Sequence, residues 1–330
     1  MEKHINFLAI GDIAIDNFIQ LKDAHITCNI NHENCELCLK FGQKVPYEKS
    51  TAFFAAGNSA NAAVAASRLG LRTALVSTLG DDENGKYCLG VLKKEKINRK
   101  YINIDKKGNL TNYHFVLMYG NERTILVKHA PFEYVLPKKN LKVDWIYLSS
   151  IGEHSPEFHN EISKWLKEKL ETKMAFQPGT FQIKLDMEVL KEIYKRTEIF
   201  FCNKEESQQI LKTEEKDIEK LLKGIHDLGP KKVVITDGSR GLSASDGVNI
   251  YKLPMYPDPN RPVDRTGAGD AASATITAML AMGKDFKEAI KYGPINSMSV
   301  VREMGTQKGL LSKKEIEEYL KNAPESYRIN

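Results

Sequence analysis

The sequence predicts an α/β protein built on a mostly parallel sheet with helices on its faces. Three observations predict it. Ile5 to Ile10 is a short apolar run ending at Gly11-Asp12, the pattern of a strand buried on both faces that enters a loop. From Val143 onward, apolar runs alternate with helical patterns at intervals that suit βαβ units with right-handed crossovers. Two glycines, Gly267 and Gly269, stand just ahead of an alanine-rich, Pro-free run from Ala271 to Met282 that reads as a buried helix.

Bulk composition narrows the function classes. A chain of 330 residues can bury a sizeable core. Its net charge of +5 is small for that length, and Lys and Glu are intermixed along helices with no basic arm or stripe, so nucleic acid is not expected as a partner. No apolar run reaches the roughly 18 residues that a membrane span needs. The first sixteen residues are interrupted by Asp12 and Asp16 and lack a small-residue cleavage site, so they read as a strand and not a signal peptide. The expectation is a cytoplasmic protein. There is no internal repeat or low-complexity linker, which fits a single domain over 1–330.

Along the N-terminal half, Asp16 follows the first strand within Ile13 to Leu21, where alternation is looser. On residue type alone it serves a turn or a ligand equally well. Segment 25–38 then gathers His25, Cys28, His32, Cys35 and Cys38. The spacing Cys28-x₃-His32-x₂-Cys35-x₂-Cys38 suits the thiolate and imidazole ligands of tetrahedral Zn²⁺. It is equally open to free thiols in a loop or to a disulfide, the last being the least favoured in a cytoplasmic chain. Cys88 and Cys202 lie in apolar patterns and read as core. Ala55 to Asn61 opens an alanine-rich helix that runs to Leu69 and stops at Gly70. Tight packing on a sheet explains the alanines but not the two amides, Asn58 and Asn61, at the helix start. Thr73 to Thr78 is a second strand. The following Gly80-Asp81-Asp82-Glu83-Asn84-Gly85-Lys86 matches G-x₄-G-K but continues into Tyr87 and carries three acids, so it is not a phosphate-binding P-loop. No G-x-G-x-x-G follows the first strand, which sets aside a dinucleotide oxidoreductase. Residues 111–119 and 123–127 alternate around Gly120-Asn121-Glu122, a hairpin pattern that places Arg123, Lys128 and His129 within reach of a hydroxylated or anionic ligand.

In the C-terminal half the expected order is strand 143–149, helix 157–170, strand 173–177, helix 186–195, strand 199–202, helix 205–223 and strand 233–236. Ligands of such sheets bind at the carboxyl ends of the strands. Those ends carry Gln177-Pro178-Gly179, Asn203-Lys204-Glu205-Glu206 and Thr236-Asp237-Gly238-x-x-Gly241. Asn203 and Glu206, three apart, share one face of a helix start, a sparse set that suits Mg²⁺ keeping most of its waters. Further helices are expected at 286–301 and, from a Ser-x-x-Glu capping box, at 312–320. At Gly267-Ala268-Gly269-Asp270 the backbone N–H groups would point out of a helix N-terminus toward an anion. Asp270 is placed there to take a proton from a hydroxyl beside that anion. An ordinary N-cap aspartate after a Gly turn would give the same letters.

The surroundings decide between these readings. Val263-Asp264-Arg265-Thr266-Gly267-Ala268-Gly269-Asp270 resembles the signature of the ribokinase-like, or phosphofructokinase-B, family of sugar and nucleoside kinases, and the resemblance extends over nearly the whole chain. It implies a ribokinase-like three-layer fold with a small β lid, formed by about 13–54 and about 111–128, with 25–38 as an insertion. It implies ATP and Mg²⁺, Asp270 as catalytic base, and the amides of Gly267, Ala268 and Gly269 as the anion hole; Arg265 stands where relatives usually carry Thr. Asp16, Gly57 and Asn61 would meet the acceptor's hydroxyls, joined by Asn58 by position, and Ala56 replaces the first Gly of that motif. Arg123 is assigned to the acceptor as well. Asn203 and Glu206 would act through Mg²⁺ and the nucleotide phosphates, Glu206 indirectly. Thr236, Gly238 and Gly241 would lie against base and ribose, with Asn296 in the adenine pocket. Relatives often hold a monovalent cation such as K⁺ beside the signature loop, in stretches matched here by Asp264, Thr266, Glu303 and Gly305.

The expected activity is transfer of the γ-phosphate of ATP to a hydroxyl of a sugar or nucleoside. The hairpin's length and Gly120-Asn121-Glu122-Arg123 favour a pentose-type or nucleoside acceptor. A sugar phosphate acceptor is the first alternative, and a non-catalytic binding protein with the Cys/His insertion as its contact surface is the second. Exposed strand edges of the lid suggest a homodimer through it.

Overall fold

In the computed structural model, which describes residues 4–28, 35–120, 122–138 and 140–330, the first strand already shows why the sheet is central. β1 (Ile5–Ile10) has Phe7 and Ala9 in one apolar cluster and Ile5, Leu8 and Ile10 in another. Successive side chains of a strand point to opposite faces, so a strand with apolar side chains on both must be covered twice.

The chain leaves β1 for β2 (Ala14–Leu21), passes a two-stranded hairpin of β3 (His25–Thr27) and β4 (Glu36–Cys38), and returns through β5 (Tyr47–Ala56) to α1 (Asn58–Arg68). β6 (Thr73–Gly80), α2 (Glu83–Lys94) and β7 (Ile102–Asp105) follow, then the hairpin β8 (Asn112–Tyr119) and β9 (Glu122–Leu126). The alternating half runs β10 (Val143–Leu148), α3 (Pro156–Lys167), β11 (Lys173–Phe176), α4 (Thr180–Lys184), α5 (Met187–Arg196) and β12 (Ile199–Asn203). It continues through α6 (Lys204–Leu211), α7 (Ile218–Asp227) and β13 (Val233–Thr236) to an antiparallel pair, β14 (Leu242–Ser245) and β15 (Ile250–Leu253). Four helices close it: α8 (Ala268–Ala281), α9 (Phe286–Ala289), α10 (Gly293–Val300) and α11 (Lys313–Lys321).

The main sheet has nine strands in the order β15-β14-β13-β12-β11-β10-β1-β6-β7, parallel except at β13–β14–β15. One face packs on α1 and α8; α3, α5 and α7 contribute to the cluster on the other. Ala62, Ala63, Ala65 and Ala66 of α1 are fully buried, and these small side chains let α1 lie close against α8, which in turn packs on α10. A second sheet, β5-β2-β8-β9, draws its strands from the two segments expected to form a lid.

Three expectations are corrected. Residues 55–56 belong to β5, and α1 starts only at Asn58, after Gly57. The helix read over 205–223 is two helices: Lys212 takes a left-handed conformation (φ 51°) at the end of α6, and the Asp217 side chain caps Glu219 N–H to start α7. The helix read over 286–301 breaks before Gly293-Pro294, where Pro fits a first turn that needs no N–H from it. In the 80–87 turn, Asp82 caps α2 at Gly85 N–H (2.7 Å) and accepts from Thr111 Oγ1 (2.7 Å), a structural clasp rather than a phosphate cradle.

Candidate active site

The signature loop is shaped by two backbone facts. Gly267 is the N-cap of α8 with φ 81°, and a Cβ on it would sit 2.8 Å from Thr306 Cβ, so both conformation and space call for glycine. Gly269 is different: it is already helical, and a Cβ there would meet only Gln177 Nε2 at 3.9 Å. Among the described residues, the N–H groups of Gly269 and Asp270 have no backbone acceptor, and that of Ala268 has only a long contact to Arg265 O at 3.4 Å. The start of a 14-residue helix therefore offers free donors and the positive end of its dipole to an anion.

Asp270 stands in that first turn and is nearly buried. Its Oδ2 accepts from Asn61 Nδ2 at 2.7 Å and its Oδ1 from Gln177 Nε2 at 3.0 Å. Burial pushes its pKa up to about 6, opposed by those two hydrogen bonds and reinforced by the charge of Asp16. That suits a general base, which should be ionised near neutrality without being too weak to accept a proton. The expectation for Asn61 is thereby revised. Its amide faces the base, while its Oδ1 accepts from Thr306 Oγ1 (2.7 Å) and Gln307 Nε2 (3.0 Å), so its side chain supports Asp270 before it meets any acceptor.

On the lid side, Asp16 pairs in register with His114 across β2 and β8, and His114 Nδ1 lies 3.2 Å from Asp16 Oδ1. Gly57, the N-cap of α1, has φ 101° and backs onto Asp12 O, which a Cβ would approach to 2.9 Å. Asn58, half-buried at the first position of α1, has a side chain with no hydrogen-bond partner among the described residues. His129 lies against Asp12 (2.5 Å), which also accepts from Tyr134 Oη (2.9 Å) and Gly152 N–H (2.8 Å), so it anchors the lid's exit instead of facing outward. His114, Gln177, Tyr147 and Ser273 are contributors that the sequence reading did not assign. Only Gln177, at a strand's carboxyl end, and Ser273, one turn past Asp270, carried any positional hint.

A cavity of about 740 Å³ opens beside the N-terminus of α8, walled by Asn203, Thr236, Gly238, Gly241 and Gly269. Arg123 lines this cavity too, with its Nε buried and unpartnered, which moves it from the acceptor side to this one. Asn203 and Glu206 form a capping box at α6: Glu206 N–H donates to Asn203 Oδ1 (2.7 Å) and Asn203 N–H to Glu206 Oε2 (2.8 Å). Burial raises the pKa of Glu206, and the negative charge of Asp270 adds to the effect. A divalent cation held beside Glu206 would offset this repulsion. Asn296 does not wall the cavity. It is fully buried, bonded to Thr275 Oγ1 (2.8 Å) and Leu311 N–H (2.9 Å), while its neighbours Ser297 and Met298 provide the lining.

The Zn²⁺ expectation is corrected. Cys28 and Cys35 are joined in a disulfide, which removes two thiolates from the Zn²⁺ set; Cys38 is free and His32 lies outside the described residues. Among the described residues no group of three or more His, Cys, Asp or Glu could hold a metal ion. Asp264, Thr266 and Gly305 do converge, but the Asp264 carboxylate already accepts from Thr266 N–H (2.9 Å), Thr266 Oγ1 (2.6 Å) and Gly305 N–H (3.1 Å). Glu303 turns to Lys308 (2.5 Å). These side chains shape the loop.

Comparison with known proteins places this geometry. Residues 21–313 match the profile described as pfkB family carbohydrate kinase. The ribokinase of Bacillus subtilis is 29% identical over 271 residues, covering 80% of this chain and 87% of that protein. Two solved structures share the fold: the nucleoside kinase of Methanocaldococcus jannaschii has a TM-score of 0.77 at 20% identity, covering 97% of this chain and 100% of that one. The ribokinase of Arabidopsis thaliana, solved with ribose and ATP, also scores 0.77, at 18% identity, covering 97% and 99%.

Proposed function

We propose, for a chain that belongs to the pfkB family of carbohydrate kinases, that it transfers the γ-phosphoryl group of ATP to a hydroxyl of a ribose-type sugar or a nucleoside, with Asp270 as the base. The observation that carries the reading is the buried carboxylate of Asp270 beside free helix N-terminal amides. The nucleotide would enter the 740 Å³ cavity with its triphosphate directed at Gly267, Ala268 and Gly269. Its base and ribose would lie along Thr236, Gly238 and Gly241. Bound Mg²⁺, held through water by Glu206 and near Asn203, would neutralise phosphate charge. Asp16, Gly57 and Asn58 would orient the acceptor so that the attacking hydroxyl meets Asp270, which takes its proton as the bond to phosphorus forms and the bond to ADP breaks. Phosphoryl transfer depends mainly on such positioning and on charge neutralisation.

A ribose-type acceptor is favoured by the pairing of Asp16 with His114, which together offer a hydroxyl-rich ring both an acceptor and a ring nitrogen. The lid leaves Phe115, Ile125, Leu126 and Val127 exposed, and we propose that two copies pair through it in a cytoplasmic dimer. No described helix is long and apolar enough to cross a membrane.

The test is ADP release from Mg-ATP against ribose, other pentoses and hexoses, nucleosides and sugar phosphates, with Asp270→Ala as the blank. Turnover with one group identifies the acceptor. Nucleotide binding without turnover on any would favour a binding role, and near-normal turnover by Asp270→Ala would refute the mechanism.

A further inference from the structure

Behind Asp270 lies a buried hydrogen-bond chain that runs through Gln177 to Tyr147 and Ser273. The Tyr147 hydroxyl on β10 donates to Gln177 Oε1. Ser273 Oγ, one turn along α8, lies 2.6 Å from that hydroxyl and 3.0 Å from the same Gln177 oxygen. An amide's oxygen and nitrogen exchange places by a simple flip, so its direction is set by what its oxygen meets. With Oε1 accepting from Tyr147 and an acceptor-only carboxylate on the other side, Gln177 presents Nε2 to Asp270 Oδ1. Asn61 is locked the same way on the other side by Thr306 and Gln307.

We propose that Gln177, oriented by Tyr147 and Ser273, is a positioning residue that holds Asp270 in place and in its proton-accepting form for phosphoryl transfer. The proposal rests on the reading of Asp270 as the base.

The charges around Asp270 explain why such a device is needed. Asp16 from β2 and Glu206 from α6 both face it with negative charge, and the Tyr147 phenol is held neutral by burial. Burial and the charge of Asp16 favour a protonated Asp270; the two amides and the N-terminus of α8 favour the carboxylate. An acid at 177 would add a third negative group and remove a donor. An amide free to turn could offer its oxygen instead, with the same effect on the base.

The test reads the base directly. Protein labelled at the aspartate carboxyl carbon is titrated by ¹³C NMR, the Asp270 signal being identified by its loss in Asp270→Asn. Gln177→Leu should move its midpoint up by about one unit, and Tyr147→Phe, which keeps the amide but frees it to turn, should move it the same way by less. With Mg-ATP and ribose or cytidine, kcat below neutral pH should fall about tenfold in Gln177→Leu while the KM for ATP holds. If Gln177→Leu does not fold, Gln177→Met and Tyr147→Phe carry the measurement. A midpoint unmoved in both variants, or one that moves while kcat does not, overturns the proposal; a role in packing alone would lower Tm and leave the midpoint in place. The titration needs no turnover, so a wild type that releases no ADP while the midpoint moves as expected would fail the kinase reading and leave the hold of Gln177 on Asp270 standing.

Discussion

Asn61 Nδ2 donates to Asp270 Oδ2 at 2.7 Å, joining helices whose residues are 209 positions apart in the chain. The bond makes α1 and α8 one unit at the point where the small-residue faces of the two helices meet. It also leaves the base usable, because a carboxylate oxygen that accepts one hydrogen bond keeps a second lone pair for a hydroxyl. An acceptor can therefore approach Asp270 beside Asn61 without displacing it.

The first prediction concerns stability and pH. Burial lifts Asp270 from an ordinary 3.8 to about 6, so the folded chain keeps a proton over an interval where the unfolded chain has lost it. Stability then falls as pH rises through that interval and stays lower above it, by on the order of 2–3 kcal/mol for a shift of roughly two units. Asp270→Asn should abolish this loss. Its Tm should match wild type below about pH 4 and exceed it above about pH 7, while its kcat drops by roughly 10²–10⁴. A Tm difference that is the same at every pH would show that burial does not destabilise the ionised form.

A second prediction follows from the capping box. Glu206→Gln keeps a side chain able to accept from Asn203 N–H, so α6 should hold and Tm should change by less than about 1 kcal/mol equivalent. What disappears is the charge. Half-maximal activation by Mg²⁺ should require about tenfold more metal, measured by ADP release at saturating ATP. An unchanged Mg²⁺ requirement would assign Glu206 to helix capping alone.

These two cases also show how far the residues alone could be read. The parallel sheet was legible because Phe7 to Ile10 and their counterparts are apolar at every position, which only a sheet covered on both faces can use. The loop at Gly267 was legible because two glycines and an aspartate stand directly ahead of an alanine-rich, Pro-free run. Pairings at long range were not. Nothing local tells that the Asn61 amide turns to Asp270 or that the Asn296 side chain is taken up by Thr275 and Leu311, since those partners arrive only when the layers assemble. The split of 205–223 rested on one left-handed residue, Lys212, that helical periodicity does not register. The short strands β14 and β15, four residues each, were too brief for alternation to stand out.

The cysteines give a third prediction. With Cys28 and Cys35 bonded and Cys88 and Cys202 buried, Cys38 is the thiol left within reach of solvent. Titration of the native, unreduced protein with an aromatic disulfide reagent should therefore find one reactive thiol per chain, and mild reduction should expose Cys28 and Cys35 as well. A metal chelator should change neither the count nor Tm. Release of Zn²⁺ on thiol modification would restore the metal reading of this hairpin.

The last prediction concerns Arg123, which the hairpin pattern assigns to the acceptor and the fold brings to the cavity beside the start of α8. Its neighbour Glu122 reaches the signature loop, where Arg265 Nη1 lies 3.2 Å from Glu122 Oε1, so the edge of the lid is held over the start of α8. Arg123 is then a cation walling the same cavity as Asn203 and Gly269, with a buried Nε that has no partner. A buried donor left unpaired costs about 1–3 kcal/mol, so the ligand-free protein carries a penalty that an anionic ligand would relieve. Arg123→Leu should separate the two effects. Without ligand its Tm should equal or exceed wild type, because the unpaired donor is gone. The stabilisation that added ATP gives wild type should shrink, and the KM for ATP should rise about tenfold, near 1.4 kcal/mol, while the KM for the acceptor holds. A rise in acceptor KM with ATP binding intact would return Arg123 to the acceptor side and would mean that the lid edge moves away from the phosphates during turnover.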